Sequence, residues 1–398
     1  MATTHNKTKA FILLTLTVSL PSVIIIYSMS KSNPTANFRR INPRDSISIA
    51  ATTDSTNNGP PFIANIRPFP PNKRSQVVPT IANRTIKHST NCGSSVRVVF
   101  LPGNWIDATD SGYQAQNCDV PCMYTKDTSS SAVKSADAVV VYLPSHSKHP
   151  DNLLKKYRID SNKVLKVGMS MESIRSHPHQ FDYLSEYDIE MSYRMSSHVP
   201  DPYFTFARGK QNLLEETNST WKSREKAVLF VARNCKSNSQ REQLVKMLQK
   251  FVRVDSVSSC LNNKHWPSDI PRIDKRALLR RYMAILAAEN SIEDDYVTEK
   301  VYAGLITGAV PIYYGAPNID EFVPSDSIIK VPHPLTKSGV KEVAERIERV
   351  FNSEEEYNRL THFKRLGSYE DRFLEMFNFT RIDVKCRLCQ KIMSLKCK

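Results

Sequence analysis

The chain has 398 residues, of which 40% are hydrophobic, which is enough to build substantial buried cores and excludes wholesale disorder. This length exceeds that of one typical domain and predicts two domains with additional segments. The net charge of +15 favours anionic partners, but the basic residues are spread along the chain and no nucleic-acid-binding module is recognisable, so we expect no nucleic acid partner.

An apolar segment near the amino terminus is typical of a membrane anchor. Phe11–Met29 contains nineteen residues without a charge, close to the roughly 20 that span a bilayer as a helix. We therefore predict a cytosolic tail over residues 1–9 and a single transmembrane signal anchor over residues 10–30. The alternative is a signal peptide cleaved after the small-x-small triplet Ser28–Ser30, but the apolar run is longer than signal peptides usually have, which favours the anchor.

The next segment, residues 31–90, is rich in Ser, Thr, Asn and Pro, and this composition predicts an extended stem. An irregular but packed extension stays open for residues 75–90. Three Asn-x-Ser/Thr acceptors become N-glycosylation candidates if the chain enters the lumen: Asn83, Asn218 and Asn378.

The rest of the chain alternates short apolar runs of the buried-strand type with segments of helical periodicity. The predicted strands are Val96–Leu101, Ala138–Leu143, Val164–Gly168, Ala227–Ala232, Val252–Val257, Met283–Ala288 and Val310–Gly315, and the predicted helices are Gln240–Phe251, Tyr296–Ile306 and Val340–Phe351. Alternation of this kind predicts an α/β fold with parallel sheets flanked by helices. A polar stretch separates two clusters of alternation, so we predict an amino-terminal domain over residues 91–215 and a carboxy-terminal domain over residues 216–385.

The eight cysteines favour disulfides, since an even number behind a targeting segment fits an oxidising compartment. Zinc is the alternative for the pairs Cys118/Cys122 and Cys386/Cys389, but the interval between them is far longer than a compact zinc module uses. Cys235 and Cys260 flank one predicted βαβ unit and form a plausible local pair. Residues 386–398 are predicted to be a Cys-rich tail.

The polar run ENSIEDDYVTEK, Glu289–Lys300, follows the predicted strand 283–288. Ligands of open α/β sheets bind at the carboxyl ends of strands, and a helix amino terminus suits a phosphate. Lys300 adds a full charge, and Glu299 could accept hydrogen bonds from ribose hydroxyls, although a solvated Glu–Lys pair is the plainer interpretation. Glu293, Asp294 and Asp295 are predicted as acids of the first helical turn, where the helix dipole favours them.

The stretch Ala288–Val331 closely resembles the donor-binding segment of the α-1,3/1,4-fucosyltransferases, including the Y-V-T-E-K and V-P-I-Y-Y-G-A-P runs. It departs at Ala288, where the family usually has Phe. Phe230–Cys235 with the later Arg241 resembles the start of the family's donor domain. Ser170–Ser173, followed by MSYR and PDPY, resembles its acceptor-side segment.

The resemblance implies a GT-B fold, with two Rossmann-like domains facing across a cleft, in a type II Golgi membrane protein whose catalytic domain is lumenal. It implies inverting transfer of L-fucose from GDP-fucose to a sugar hydroxyl, GlcNAc at an α-1,3 or α-1,4 linkage, on a glycoprotein N-glycan. It also implies that the C-x-x-C of Cys386 and Cys389 is tied to the acceptor-side domain.

The same resemblance assigns roles to six residues. Glu172 is the candidate base, and Arg241 is the contact to the pyrophosphate. Lys300 stabilises the leaving GDP, Glu299 holds the ribose, and Asn290 and Tyr296 line the donor pocket. No cofactor or metal ligand is expected, and manganese enters only as a possible stimulant.

Two alternatives stay open beside the fucosyltransferase interpretation. One is a GT-B-shaped membrane protein that has lost catalysis and retains glycan binding, although the joint presence of Glu172, Arg241, Glu299 and Lys300 argues against decay. The other is a related transferase that uses a different sugar nucleotide. The linkage and the acceptor are left open by the sequence.

Overall fold

The computed structural model describes residues 95–103, 113–115, 118–146, 149–205, 213, 220–366 and 371–397. The predicted cytosolic tail, anchor and stem lie outside these residues, as do Asn83 and Asn218. Within the described residues, no helix has both the length and the apolar character needed to cross a bilayer.

The described chain alternates strands and helices. The strands are β1 Val96–Phe100, β2 Tyr113–Ala115, β3 Cys122–Thr125, β4 Ala138–Tyr142, β5 Leu165–Ser170, β6 Ile189–Ser192, β7 Val199–Pro200, β8 Glu225–Phe230, β9 Val254–Ser256, β10 Tyr282–Ala288, β11 Val310–Tyr314 and β12 Ile329–Lys330. The helices are α1 Ser130–Lys134, α2 Pro150–Lys156, α3 Arg241–Leu248, α4 Lys275–Arg281, α5 Glu299–Thr307, α6 Lys337–Asn352, α7 Glu354–Leu360, α8 Phe363–Leu366, α9 Asp371–Phe379 and α10 Val384–Lys396.

The strands form two sheets. The first has the order β2-β3-β1-β4-β5-β6-β7, and the second has the order β12-β11-β10-β8-β9. Every pairing is parallel except that of β2 with β3. The parallel sheets confirm the predicted α/β class, and each predicted strand overlaps one that the structure contains.

Helices cover both faces of the second sheet. On one face, α3, α6 and α7 pack against the side chains of β8, β10 and β11, and on the other face α4 and α5 do so. Helix α6 shows why its sequence folds this way: Val340, Val343, Ala344, Ile347 and Val350 recur at helical spacing and are all buried. Thr336 caps its start, with the hydroxyl accepting a hydrogen bond from the Gly339 amide at 3.1 Å.

Most of the segment predicted to be a Cys-rich tail, residues 386–398, belongs to helix α10, which packs on the first sheet. The buried face of α10 carries Cys386, Leu388, Cys389 and Ile392, which join the core of β1, β4 and β5. Its apolar residues recur every three or four positions, which is the spacing of a helix that buries one face.

Three disulfides lie in the described chain. Cys235 pairs with Cys260, the local pair expected from the sequence. Cys118 pairs with Cys386 and Cys122 with Cys389, so the C-x-x-C is tied to the first sheet as the family resemblance implied. The third glycosylation candidate, Asn378, lies exposed in α9, and its amide oxygen accepts a hydrogen bond from Arg381 Nε at 2.9 Å.

The two disulfides to α10 are expected to act as one crosslink. They close loops of nearly equal length, with sequence separations of 268 and 267, so either alone restricts the unfolded chain almost as much as both. Replacing the Cys122–Cys389 pair by serines should therefore cost less than about 2 kcal/mol, whereas removing both pairs together with the disulfide of Cys397, which directly follows α10, should cost about 4–5 kcal/mol. Chemical denaturation of the three proteins measures this, and equal, additive losses would contradict it.

Candidate active site

The second sheet reverses its strand order at β8, because β9 lies on one side of it and β10 on the other. Ligands of open parallel sheets bind at the carboxyl ends of strands at such a switch point. The loops that leave β8 and β10 meet there: the Ser239 amide donates to the Asn290 carbonyl at 3.0 Å, and the Ser239 hydroxyl donates to the Glu289 carbonyl at 2.6 Å. Arg241 Nη1 donates to the Ala288 carbonyl at 3.1 Å.

Glu289 is the buried anchor of this site, with a side chain that is 0% exposed. Its carboxylate accepts hydrogen bonds from the Thr298 amide at 2.8 Å, from the Thr298 hydroxyl at 2.7 Å and from Lys300 Nζ at 2.9 Å. Because the Thr298 hydroxyl is engaged there, it does not cap α5. No role was predicted for Glu289, although an acid at the end of an entirely apolar strand is expected to be buried with a partner.

Lys300 and Arg241 are the cations of the site. Burial lowers the pKa of Lys300, but the nearby Glu289 and Glu299 carboxylates outweigh it and hold this pKa above its usual value. Burial lowers the pKa of Arg241, partly offset by Glu289, and the guanidinium stays charged. Among the described residues, the buried Arg241 Nε and Asn290 Oδ1 have no hydrogen-bond partner. Both atoms are therefore available to a polar ligand.

Three tyrosines, of which Tyr193 and Tyr296 are buried and Tyr203 is half-buried, join the two sheets at this site. The ring of Tyr296 packs edge-on against Tyr193 at 5.0 Å and Tyr203 at 6.2 Å, measured between ring centroids. Burial raises the pKa of Tyr203 above its usual range, and the Tyr296 hydroxyl and the carboxylates of Glu172, Glu299 and Glu289 raise it further. Carboxylates of both sheets therefore lie within electrostatic reach of one phenol.

Glu172 follows β5 at the carboxyl edge of the first sheet. Its backbone is fixed, since its amide donates to Ser170 Oγ at 3.1 Å and its carbonyl accepts from Gln180 Nε2 at 2.9 Å. Its side chain is 35% exposed, and His177 Nδ1 lies 4.0 Å from its carboxylate. A fixed backbone with an accessible carboxylate suits a base that must meet a bound acceptor.

Glu299 lies at the start of α5, with a side chain that is 72% exposed and 3.5 Å from Lys300 Nζ. One edge of the second sheet thus carries five of the predicted site residues: Arg241, Asn290, Tyr296, Glu299 and Lys300. The Glu172 carboxylate lies close enough to raise the pKa of Tyr203. Nowhere in the described ranges do three or more His, Cys, Asp or Glu side chains cluster in a way that could hold a metal ion.

The prediction that Glu293, Asp294 and Asp295 form the first turn of a helix beginning at Tyr296 was wrong, because α5 begins at Glu299. Glu293 is buried and accepts hydrogen bonds from the Ile174 and Arg175 amides at 3.1 and 2.8 Å and from the Tyr193 hydroxyl at 2.8 Å. A helix dipole contributes about 0.3–1 kcal/mol to an acid, whereas each hydrogen bond to a carboxylate contributes about 1.5–3 kcal/mol. The hydrogen bonds to the first half of the chain therefore outweigh the helix dipole and determine where the Glu293 side chain lies.

Asp295 also forms hydrogen bonds with other loops instead of lying in the first turn of a helix. Its backbone is left-handed, with φ of 66°, a conformation that Asp tolerates better than most residues. Its amide donates to Asn318 Oδ1 at 2.9 Å, its carboxylate accepts from Asn318 Nδ2 at 2.8 Å, and it also accepts from the Met195 amide at 2.9 Å. The loop therefore turns towards the first sheet before the helix starts.

Gly315 allows Glu289 to sit where it does. A Cβ at this position would lie 2.5 Å from the Tyr313 hydroxyl and 2.7 Å from Glu289 Cγ. We expect Gly315→Ala to destabilise the fold by about 1–3 kcal/mol and to weaken binding of GDP, because Glu289 must shift and Lys300 with it. Thermal unfolding with and without GDP measures both effects.

The control is Gly168→Ala, whose Cβ would meet the Tyr187 ring at 3.1 Å, away from Glu289. It should lower stability and leave GDP binding unchanged. If Gly315→Ala affected GDP binding no more than this control does, the link between Gly315 and the site would be wrong.

Comparison with known proteins supports the resemblance to fucosyltransferases. Residues 221–397 match the sequence model of glycosyltransferase family 10 (fucosyltransferase), carboxy-terminal part. The matched segment contains the whole of Ala288–Val331, so the resemblance found in the sequence is confirmed.

Relatives of this chain carry fucosyltransferase names. A fucosyltransferase-like protein of Arabidopsis thaliana is 33% identical over 231 residues, which are 57% of this chain and 42% of that protein. GDP-fucose protein O-fucosyltransferase 3 of Xenopus tropicalis is 30% identical over 178 residues, 42% of this chain and 36% of that protein. The chain thus spans about two fifths of the length of these curated relatives.

A crystal structure of an α1,3-fucosyltransferase has the same fold. It superposes with a TM-score of 0.52 at 13% sequence identity, covering 77% of this chain and 92% of that chain. At this identity the similarity concerns the fold alone. The chain therefore shares its overall fold with a solved fucosyltransferase.

Proposed function

We propose that this protein is an inverting fucosyltransferase that moves L-fucose from GDP-fucose to a hydroxyl of a glycoprotein. Two observations together carry the proposal. Two fixed cations, Lys300 and Arg241, lie at the carboxyl edge of the second sheet, and the accessible carboxylate of Glu172 lies on the other side of the tyrosines 193, 203 and 296. The family 10 match of residues 221–397 supports fucose as the transferred sugar.

The proposed reaction is a single displacement. The acceptor oxygen attacks the anomeric carbon of fucose while the bond from that carbon to the β-phosphate oxygen breaks. Glu172 takes the proton that the acceptor hydroxyl loses. GDP leaves with the bonding electron pair, and Lys300 and Arg241 stabilise the negative charge that develops on its phosphates. Glu299 holds the ribose, while Asn290 and Tyr296 line the donor pocket.

The acceptor has two candidates. Transfer to GlcNAc of an N-glycan, at an α-1,3 or α-1,4 linkage, is supported by the sequence resemblance. Transfer to a Ser or Thr hydroxyl of a protein is supported by the names of relatives such as the Xenopus protein O-fucosyltransferase 3. We also propose the two-domain GT-B arrangement, with boundaries at 91–215 and 216–385, and a type II Golgi location through the apolar segment Phe11–Met29.

The test measures both donor and acceptor. Thermal shifts of the purified chain with GDP-fucose, UDP-glucose and a CMP-sugar identify the donor, and transfer of labelled fucose to an N-glycan array and to unglycosylated folded protein domains identifies the acceptor. Stabilisation by GDP-fucose with transfer to either acceptor class is the expected result. Stabilisation without transfer would favour a glycan-binding protein, and a preference for UDP-glucose or the CMP-sugar would favour a different transferase.

A further inference from the structure

Glu293 lies on the loop that follows β10. Every hydrogen bond described for its carboxylate nevertheless comes from the first half of the chain, from the segment after Glu172 and from Tyr193, which directly follows β6. Oε1 accepts from the Arg175 amide at 2.8 Å, and Oε2 accepts from the Ile174 amide at 3.1 Å and from the Tyr193 hydroxyl at 2.8 Å. Ile174 and Arg175 come two and three residues after Glu172. The carboxylate therefore holds the chain next to the candidate base.

Further contacts fasten the same short segment to the second half of the chain. The Ser291 hydroxyl, which is buried, lies 2.7 Å from the hydroxyls of both Ser173 and Ser176. Asn238, on the loop after β8, donates through Nδ2 to the Arg175 carbonyl at 2.5 Å. Two loops of the second half, the one that carries Asn290 and the one that precedes Arg241, thus form hydrogen bonds to the residues immediately after Glu172.

We propose that Glu293 is a positioning residue that sets the Glu172 carboxylate against the donor, so that one loop defines both the donor pocket and the place of the base. The inference rests on the proposed function, since it needs Glu172 to act as the base. Its physical basis is that a carboxylate can accept from two backbone amides and a phenol at once, while an amide side chain would turn its own N–H group towards one of those donors.

Burial supports this geometry. Tyr193 is buried, and burial together with Glu293 raises the pKa of its hydroxyl, so that the phenol stays a hydrogen-bond donor to the carboxylate. Since a displacement of about 1 Å in a reacting group can cost about 10²-fold in rate, loss of these hydrogen bonds should appear in the chemical step. Binding of the donor, which uses other side chains of the loop, should change little.

The experiment is a double-mutant cycle on the full chain with GDP-fucose and whichever acceptor the transfer assays identify. Glu293→Gln should lower kcat by about 10²-fold with the KM for GDP-fucose and the affinity for GDP within about 2-fold of wild type. In the background of Glu172→Gln, the same substitution should lower the residual kcat by less than about 3-fold, because a residue that acts only through Glu172 has nothing left to position.

Two further variants complete the test. Tyr193→Phe removes one of the three hydrogen bonds to Glu293 and keeps the negative charge of its carboxylate. It should lower kcat by less than Glu293→Gln does, and this loss should again disappear in the Glu172→Gln background. The same variant tests the inference if Glu293→Gln does not fold. Glu342→Gln, an exposed acid of α6, makes the same change of charge and should leave kcat unchanged.

The outcomes separate this inference from the proposed function. Equal losses in the wild-type and Glu172→Gln backgrounds, or a loss of GDP affinity that matches the loss of kcat, would overturn the positioning role while leaving the fucosyltransferase intact. A wild-type chain that does not turn over GDP-fucose would overturn both.

Discussion

Lys300→Ala is expected to lower kcat/KM for GDP-fucose by about 10³-fold, with a smaller effect on the KM for the acceptor. Removal of one fixed group that stabilises developing charge typically costs 10²–10³-fold, and Lys300 is here such a group for the leaving diphosphate. Steady-state kinetics with each substrate varied in turn measures the split. An unchanged kcat/KM for the donor would remove Lys300 from the site.

The same substitution should also destabilise the protein, and this must be separated from catalysis. Lys300 is the ammonium partner of Glu289, whose side chain is 0% exposed, and loss of one partner of a buried ion pair costs about 3–5 kcal/mol. The double variant Glu289→Gln with Lys300→Met removes both charges and should regain part of the stability but none of the activity. Lys330→Ala, which breaks the exposed pair with Asp320, should cost less than about 1 kcal/mol and no activity.

Glu172→Gln is expected to lower kcat by about 10³-fold while thermal stability and GDP affinity stay at wild-type values. A positioned general base contributes about 10²–10⁴-fold, and the amide cannot take the proton of the acceptor hydroxyl. Stability should not change, because the carboxylate is 35% exposed and its ionic partner, His177, lies 4.0 Å away.

The matched control for this variant is Glu186→Gln. Glu186 also belongs to the first half of the chain and also faces a histidine, with His149 Nε2 at 3.8 Å from its carboxylate. It should leave kcat unchanged. If Glu172→Gln and Glu186→Gln behaved alike, another group would have to serve as the base.

Much of the fold follows from local pattern. Apolar runs such as Ala138–Tyr142 and Tyr282–Ala288 can be recognised as strands, because a strand buried on both faces needs an apolar residue at every position. The segment order then implies parallel sheets. The contacts of α10 with the first sheet could not be derived in this way, because they join residues more than 260 positions apart.

The candidate site was predicted in part. The run Glu289–Lys300 lies at the carboxyl edge of the second sheet, where the sequence placed the candidate site, and the roles of Arg241 and Lys300 stay predictions from the family resemblance. The acids were misjudged because local dipole arguments ignore tertiary partners: Glu293 and Asp295 turn to backbone amides of the first half, which no local pattern displays. Glu289 was within reach of the sequence, since a carboxylate that ends a seven-residue apolar strand requires a nearby cation.

The place of α10 has a consequence for biosynthesis. Its side chains complete the core of the first sheet, and Cys122 lies 267 residues before its partner Cys389. At a synthesis rate of about 5–20 residues per second, the ribosome needs about 13–53 s to cover that interval. During this time the strands of the first half lack part of their apolar cover, so we expect nascent chains to depend on chaperones until α10 has been synthesised, and we expect chains truncated before α10 to be degraded.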